Sequence, residues 1–449
     1  IMLIRISVFL AIILCVFTLP GNAQNNDNSP YSRYGIGDLA DPNLNHTRQM
    51  GGLGASYMDG FHINLVNPAS YAFLNSTAFD VGIFAKRTQL KDSRAQNTFW
   101  SGNLEYLSLA FPLRNPINEI YDNVKRDYKL AMAFALMQHS SVGYNIAAGD
   151  STSTGQRYTR NYQGGGGTYK VLWGNALKYK NVSFGLNLGY LFGKLKYENR
   201  LEFSSTEFAY SDLFGNDFNM KGFLWNAGVM YTDIMNKKSI ESNKTVSPKR
   251  ISIGIHANSA TSFSTEYTLN HILLQQLPGN IFNTDTVSVK DSIAGKGKLP
   301  AEFGIGATYY SGEKFSFGFN YNTALWSNYF NEANGDKAGA LKNSQRVSVG
   351  GHFRPDYKSF DNFFDRVYYR YGVYYASDPR VINGTQIETY GVTFGVGMPF
   401  VFQRKVSHMN LGFDLGMRGN NTPISEKFVK ISLGVTFNDD EWFLKRKYN

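Results

Sequence analysis

The chain has 449 residues, with 45 Lys and Arg against 35 Asp and Glu, a formal charge of +10. The cationic excess is dispersed and forms no basic block interleaved with aromatics, which argues against a nucleic-acid partner. A single cysteine excludes a disulfide scaffold, and 44 glycines, 15% aromatics and only 18% charged residues do not suit a soluble enzyme built on helices.

At the N-terminus Arg5 precedes the apolar run Ile6–Leu19, and Pro20-Gly21-Asn22-Ala23 follows. A charged start, a short apolar stretch and a small-x-small site predict a secretory signal peptide over 1–23, cleaved near Ala23. The apolar run is about 14 residues, short of the roughly 20 that span a bilayer. Cys15 lies inside this segment behind the large Leu14, which disfavours a lipid anchor there. No later run of about 18 apolar residues occurs, so no helical membrane span is expected.

Residues 24–77 are neither helix nor strand by pattern, and are expected to form a periplasmic lead-in and a hatch. "GGLGASYMDGFHINLVNPASYAFL", Gly51 to Leu74, is too apolar for a free tail. Gly51, Gly52 and Gly54 permit tight backbone paths. Pro68 fixes its own φ and pushes Asn67 toward extended geometry, so Asn67-Pro68-Ala69 reads as a reversal. Upstream, "SPYSRYGIGDL", Ser29 to Leu39, carries Tyr31, Tyr34 and Ile36, which suit packing under the hatch or docking a periplasmic partner.

From 78 to 438 one pattern recurs: about ten alternating residues, then a polar link. In "FVKISLGVTF", Val429, Ile431, Leu433, Val435 and Phe437 oppose Lys430, Ser432, Gly434 and Thr436. The second face is small and polar rather than charged, as expected where the outside meets lipid and the inside is crowded. About fourteen such segments predict an all-β, transmembrane antiparallel β-barrel with a lumenal hatch. They lie near 78–87, 98–112, 128–138, 166–178, 181–195, 220–232, 249–259, 299–310, 315–325, 344–354, 366–377, 386–399, 408–418 and 426–438. Long links such as 139–165, 196–219 and 260–298 fall mainly on one side, expected to be extracellular. Links 113–127, 233–248 and 355–365 are long for periplasmic turns. Residues 439–449 form a charged periplasmic tail with Lys445, Arg446 and Lys447.

The stretch "RQMGGLGASYMDGFHINLVNPASYAFLNSTAFDVG", Arg48 to Gly82, resembles the N-terminal signature of the FadL/TodX (OMPP1) outer-membrane family. Gly51, Gly52, Gly54 and Ala55 match its Gly-rich run, Asp59 its acidic position, and Asn67, Pro68 and Ala69 its hallmark. The resemblance implies a fourteen-stranded barrel with a hatch, in the outer membrane of a Gram-negative bacterium. It implies passive diffusion of hydrophobic small molecules, fatty acids or aromatic hydrocarbons, with a lateral exit at a strand kink. Some members instead serve attachment or secretion machinery. The alternative expectation is therefore a non-transporting barrel subunit of an outer-membrane protein assembly or secretion complex. The expected partners are hydrophobic small molecules, outer-membrane lipid and other envelope proteins.

No catalytic residues stand out, and neither metal nor cofactor is expected. The seven histidines are scattered without ligand spacing, and no serine sits in a G-x-S-x-G elbow. "QGGGGTY", Gln163 to Tyr169, lacks a phosphate-loop lysine and reads as a flexible outer loop. Phe61, Leu65, Val66 and Phe73 are the candidate pocket lining at the hatch. Leu269, Ile272, Leu273 and Leu277 are expected on one face of a short outer helix ended by Pro278-Gly279, covering the mouth or offering a greasy groove. The lumen-side charges Glu105, Lys170, Asp414, Arg418 and Lys430 are expected to pair with each other or with the hatch.

Overall fold

The computed structural model describes residues 29–444, except 94, 124–125, 154, 204–209, 244–245 and 278–280. The signal peptide expected over 1–23 and the basic residues Lys445, Arg446 and Lys447 lie outside the described residues.

Alternating sequence becomes strand. A two-residue β1 (Asp38–Leu39) precedes the wall. The wall begins with β2 (Thr77–Lys91), β3 (Gln96–Pro112), β4 (Tyr128–Ser141), β5 (Tyr144–Ser151), β6 (Arg157–Tyr179), β7 (Val182–Phe203) and β8 (Tyr210–Ile234). It continues with β9 (Lys249–Asn258), β10 (Ser262–Leu277), β11 (Ile281–Lys298), β12 (Glu302–Ser311) and β13 (Phe315–Ala324). After the short β14 (Phe330–Asn331) come β15 (Ser344–Phe353), β16 (Tyr368–Ile382), β17 (Thr385–Phe402), β18 (Lys405–Arg418) and β19 (Ser425–Asp439). β4 runs on into β5, β9 into β10 and β11 into β12, which gives a closed antiparallel barrel of 14 staves. β19 pairs with β2 from Ser425↔Lys91 to Asp439↔Thr77, so the wall closes on itself. Closure leaves no open sheet edge to be satisfied in lipid.

The two strand faces separate as the alternation requires. Phe184, Phe317 and Phe394 stand exposed on the outside, where a bilayer would cover them, while Ser183, Ser316, Thr393 and Thr436 are buried inside. No helix among the described residues is long and apolar enough to cross a membrane. Both ends of the stave series, Thr77 and Asp439, lie at one end of the barrel. That end is periplasmic in an outer-membrane barrel.

The lumen is filled by residues 29–76. Tyr31, Ile36, Leu44, Met50, Leu53, Tyr57 and Ile63 are among the largest fully buried side chains. The small inner face of the wall has a direct cause: the hatch backbone lies against it. A Cβ on Gly185 would strike Pro68 and Ala69, one on Gly254 would strike the Ala55 carbonyl, and one on Gly350 or Gly372 would strike Met50. Glycine is needed where two backbones approach this closely.

Three expectations about the outer side are corrected. Residues 264–277 are not a helix; they belong to β10, which pairs with β8 and β11. Leu269, Ile272, Leu273 and Leu277 therefore share no helical face, and adjacent Ile272 and Leu273 point to opposite sides of the sheet. "QGGGGTY" is not a loop but the middle of β6, paired with β7 from Gln163↔Glu198 to Tyr169↔Phe192. The long links 139–165, 196–219 and 260–298 are largely strand that carries the staves beyond the lipid-facing belt. There neither face meets lipid, so the apolar/polar contrast that marks a membrane strand fades although the hydrogen-bond ladder continues.

The lead-in is also displaced from its expected place. Ser29–Leu39 does not lie under the hatch but at the outer mouth, against the β16–β17 and β18–β19 ends. At the other end the tail docks through residue 443. Asn115 donates to the Trp442 carbonyl at 2.9 Å, and Trp442 and Phe443 pack on Phe111.

Candidate functional site

The hatch motif builds its own scaffold. Gly51 and Gly52 have φ of 74° and 93°, a left-handed path that brings the chain round after the helical turn α1 (Asn45–Arg48). Gly54 leaves room for the Val66 side chain. Asn67 is extended, as a residue before proline should be, and caps the 3₁₀ helix Pro68–Phe73 by accepting from Ala69 N at 3.1 Å. Its amide also donates to the Ala55 carbonyl at 2.6 Å, tying the two halves of the motif together. Asp59 accepts from the Phe61 amide at 2.8 Å and from the Tyr57 hydroxyl at 3.0 Å, and lies 3.0 Å from His62 Nδ1. Burial would raise the Asp59 carboxyl, but His62 and the Phe61 amide outweigh it and hold it well below the ordinary carboxylate range.

At the outer end charged groups lock hatch to wall. Asp38 receives Arg380 at 2.7 Å and Arg418 at 2.8 Å, and both arginines also hold Asp378. Arg418 extends to Glu426 at 3.6 Å, and the Ser29 hydroxyl donates to the same carboxylate. Deeper in, Arg48 forks onto Glu105 at 2.6 Å, Lys430 reaches Glu105 at 2.5 Å, and Arg346 reaches Asp41 at 3.1 Å. Burial favours protonation of Asp38 and Asp41, yet their arginine partners prevail and hold both carboxyls well down. Of the five lumenal charges singled out in the sequence, Glu105 and Arg418 pair with the hatch and Lys430 with Glu105. Asp414 accepts from the Tyr374 hydroxyl at 3.1 Å. Lys170 forms no ion pair among the described residues.

One seam of the wall is incomplete without the hatch. β3 pairs with β4 only from Tyr106↔Met137 to Pro112↔Ala131, so among the described residues its outer half has no strand partner on that side. β4 instead takes β1 as its neighbour there, with Asp38↔Ser141 and Leu39↔Ser140. Part of the segment Ser29–Leu39 thus extends β4 where β3 diverges, and Asp38 anchors it.

At the periplasmic end the lumen opens into a cavity of about 1620 Å³. Phe61 and Phe73 line it, with Tyr57, Tyr310, Tyr368 and His408. Leu65 and Val66 do not; they are buried in the hatch interior, Leu65 beside Ile63 and Tyr71. The structure also assembles a group that spacing did not reveal. The His62 ring lies 4.8 Å from both His46 and His408, tilted against each, and Arg370 donates to Gln49 at 3.0 Å. Burial, with His62 and Arg370 beside it, pushes His46 far below its ordinary value, so it stays neutral. Among the described residues no cluster has the geometry of a metal site. A second cavity of about 520 Å³ at the outer mouth is lined by Tyr144, Tyr162, Tyr197 and Leu269 among others. Among the described side chains, Leu269 is the member of the expected surface groove that reaches it.

This architecture is similar to solved outer-membrane channels. A Pseudomonas aeruginosa FadL homologue matches with a TM-score of 0.56 at 11% identity over 89% of this chain and 99% of its own. The Ralstonia pickettii toluene transporter TbuX matches with 0.54 at 12% identity, over 89% and 99%. The Pseudomonas putida toluene transporter TodX matches with 0.53 at 15% identity, over 90% and 100%. At such identity the likeness establishes the fold, a FadL-type outer-membrane β-barrel. No curated protein matches the sequence. A family model does match it, from residue 2 to residue 449, and by that match the chain belongs to the BamG family.

Proposed function

We propose that this barrel is a non-transporting subunit of an outer-membrane protein assembly or secretion complex. It would sit in the Gram-negative outer membrane after removal of the signal peptide near Ala23. The observation that carries the reading is the outer lock. Asp38 bridges Arg380 and Arg418 while β1 pairs with β4 where β3 has left it, so one segment is pinned both at the mouth and at the wall. Withdrawing Asp38 would leave Arg380 and Arg418 buried with less countercharge, and removing one partner of a buried pair costs roughly 3–5 kcal/mol. A path in regular use would need a gate that opens more cheaply. The reading assigns no chemistry to the protein, and its partners are envelope proteins and membrane lipid.

A second reading, passive diffusion of hydrophobic small molecules such as fatty acids or aromatic hydrocarbons, is favoured by the divergence of β3 and β4. In that reading β1 withdraws to open the wall, and ligand rests near Phe61 and Phe73. Extraction of the protein from native outer membranes in mild detergent separates the two. Stoichiometric co-purifying envelope proteins and no hydrophobic ligand by mass spectrometry are expected. A lone barrel carrying a stoichiometric apolar molecule would overturn the assembly reading.

A further inference from the structure

The periplasmic cavity has a charge that plugging the lumen does not need. Nine cationic side chains line it against four carboxylates. Three of those carboxylates are engaged: Asp59 with His62, Asp233 with Lys237, and Asp440 with Lys405. Lys129, Lys180, Arg250 and Arg404 belong to no ion pair among the described residues. At the cavity wall His408 is 1% exposed, and its Nδ1 has no hydrogen-bond partner. Beside the opening, the periplasmic turn 354–367 is longer than a hairpin needs, and it carries Phe360, 95% exposed, and Phe364, 66% exposed. Unpaired cations around an aromatic hollow, with a greasy lip, complement a chain that is acidic and apolar together.

We propose that this cavity is a docking site for an acidic, aromatic-bearing segment of a periplasmic partner polypeptide. The inference rests on the assembly reading and names where, and with what chemistry, a partner would bind. A polypeptide is favoured over a lipid by the shape of the site. The lining comes from staves on all sides of the ring, β4, β6, β8, β9, β16, β17 and β18 among them, and from hatch residues at its centre. The cavity therefore opens along the barrel axis, and a bilayer lipid would have to leave the membrane to reach it. A chain in the periplasm meets it end-on.

The test uses the full-length protein in cells, with a photo-crosslinking amino acid at Phe363, which lines the cavity. The comparison is with a variant carrying Lys129→Glu, Lys180→Glu and Arg404→Glu. The expected product is a polypeptide joined through a peptide rich in Asp and Glu, with a yield about tenfold lower in the variant. In parallel, a fluorescent peptide alternating Glu and Phe is titrated onto the purified protein in nanodiscs, where the variant should bind about tenfold more weakly. Crosslinks to phospholipid alone, or equal yield and equal peptide affinity in both proteins, would overturn the proposal. If the reversed charges prevent insertion, Lys129→Gln, Lys180→Gln and Arg404→Gln serve in their place, with a smaller loss of the same sign. Envelope proteins that co-purify equally with both forms would place the docking surface elsewhere and leave the assembly reading standing. A wild-type barrel that purifies alone would sink that reading, while the peptide titration still decides the cavity's chemistry.

Discussion

The two ends of the lumen handle charge in opposite ways. From the outer end inward the arginines at the contact of hatch and wall are matched by carboxylates: Arg380 and Arg418 by Asp38, Asp378 and Glu426, Arg346 by Asp41, and Arg48 of the hatch by Glu105. At the periplasmic end Lys129, Lys180, Arg250 and Arg404 stand around open space. A desolvated cation needs a partner to be tolerated, whereas a cation at a water-filled rim needs none. The outer end is therefore pinned to the hatch by matched charges, while the inner end leaves cations facing open space.

The contrast breaks most severely at the outer lock. Arg418→Met should destabilise the hatch by about 3–5 kcal/mol, because Asp38, Asp378 and Glu426 are left buried with less countercharge. Trypsin should then cut within residues 29–77 of the membrane-inserted protein while the barrel itself resists; full protection of the hatch would contradict the lock. Gly372→Val forces a side chain into the Met50 backbone and should cost about 1–3 kcal/mol. It should lower the temperature at which the folded band converts to the unfolded one on unheated gels; an unchanged conversion temperature would mean the hatch can step aside.

Acid should act next. His46 is held neutral by burial in the folded hatch, but in the unfolded chain it takes up a proton as pH falls through about 6.5. The unfolded state then binds more protons, so hatch stability is full above that value and declines as pH falls below it. The depressed carboxyls Asp38, Asp41 and Asp59 add a further loss below about pH 4, where the unfolded carboxyls protonate first. Protease protection of the hatch measured from pH 8 to 4 should show this descent; a flat profile to pH 5 would remove His46 from the account. The smallest effect is expected at the other end. Lys180→Gln should change stability by less than about 0.5 kcal/mol, since no ion pair is lost. A loss comparable to that of Arg418→Met would erase the distinction between the two ends.

Much of this was legible in the sequence. The strands that cross the membrane announced themselves because lipid enforces an apolar outer face. Asn67-Pro68-Ala69 marked the hatch because a pre-proline extended residue and an Asn cap are local requirements. The extended outer staves were misread where that enforcement stops: β10 carries Leu269, Ile272, Leu273 and Leu277 at spacings that also fit a helix, and only pairing to β8 and β11 decides between them.

The sequence by itself determined a closed barrel of about fourteen strands with an apolar, glycine-bearing insert ahead of it, because alternation and backbone satisfaction in lipid admit few other solutions. It also showed that the inner face had to be small. What the tertiary structure alone decided was which groups meet across that inner face. Asp38 and Arg418 are 380 residues apart, Arg48 and Glu105 are 57 apart, and His46, His62 and His408 come from two turns of the hatch and a late strand. Such encounters follow from strand register and from the path of the hatch through the lumen. Both are set by close packing of the whole ring rather than by any local stretch of chain.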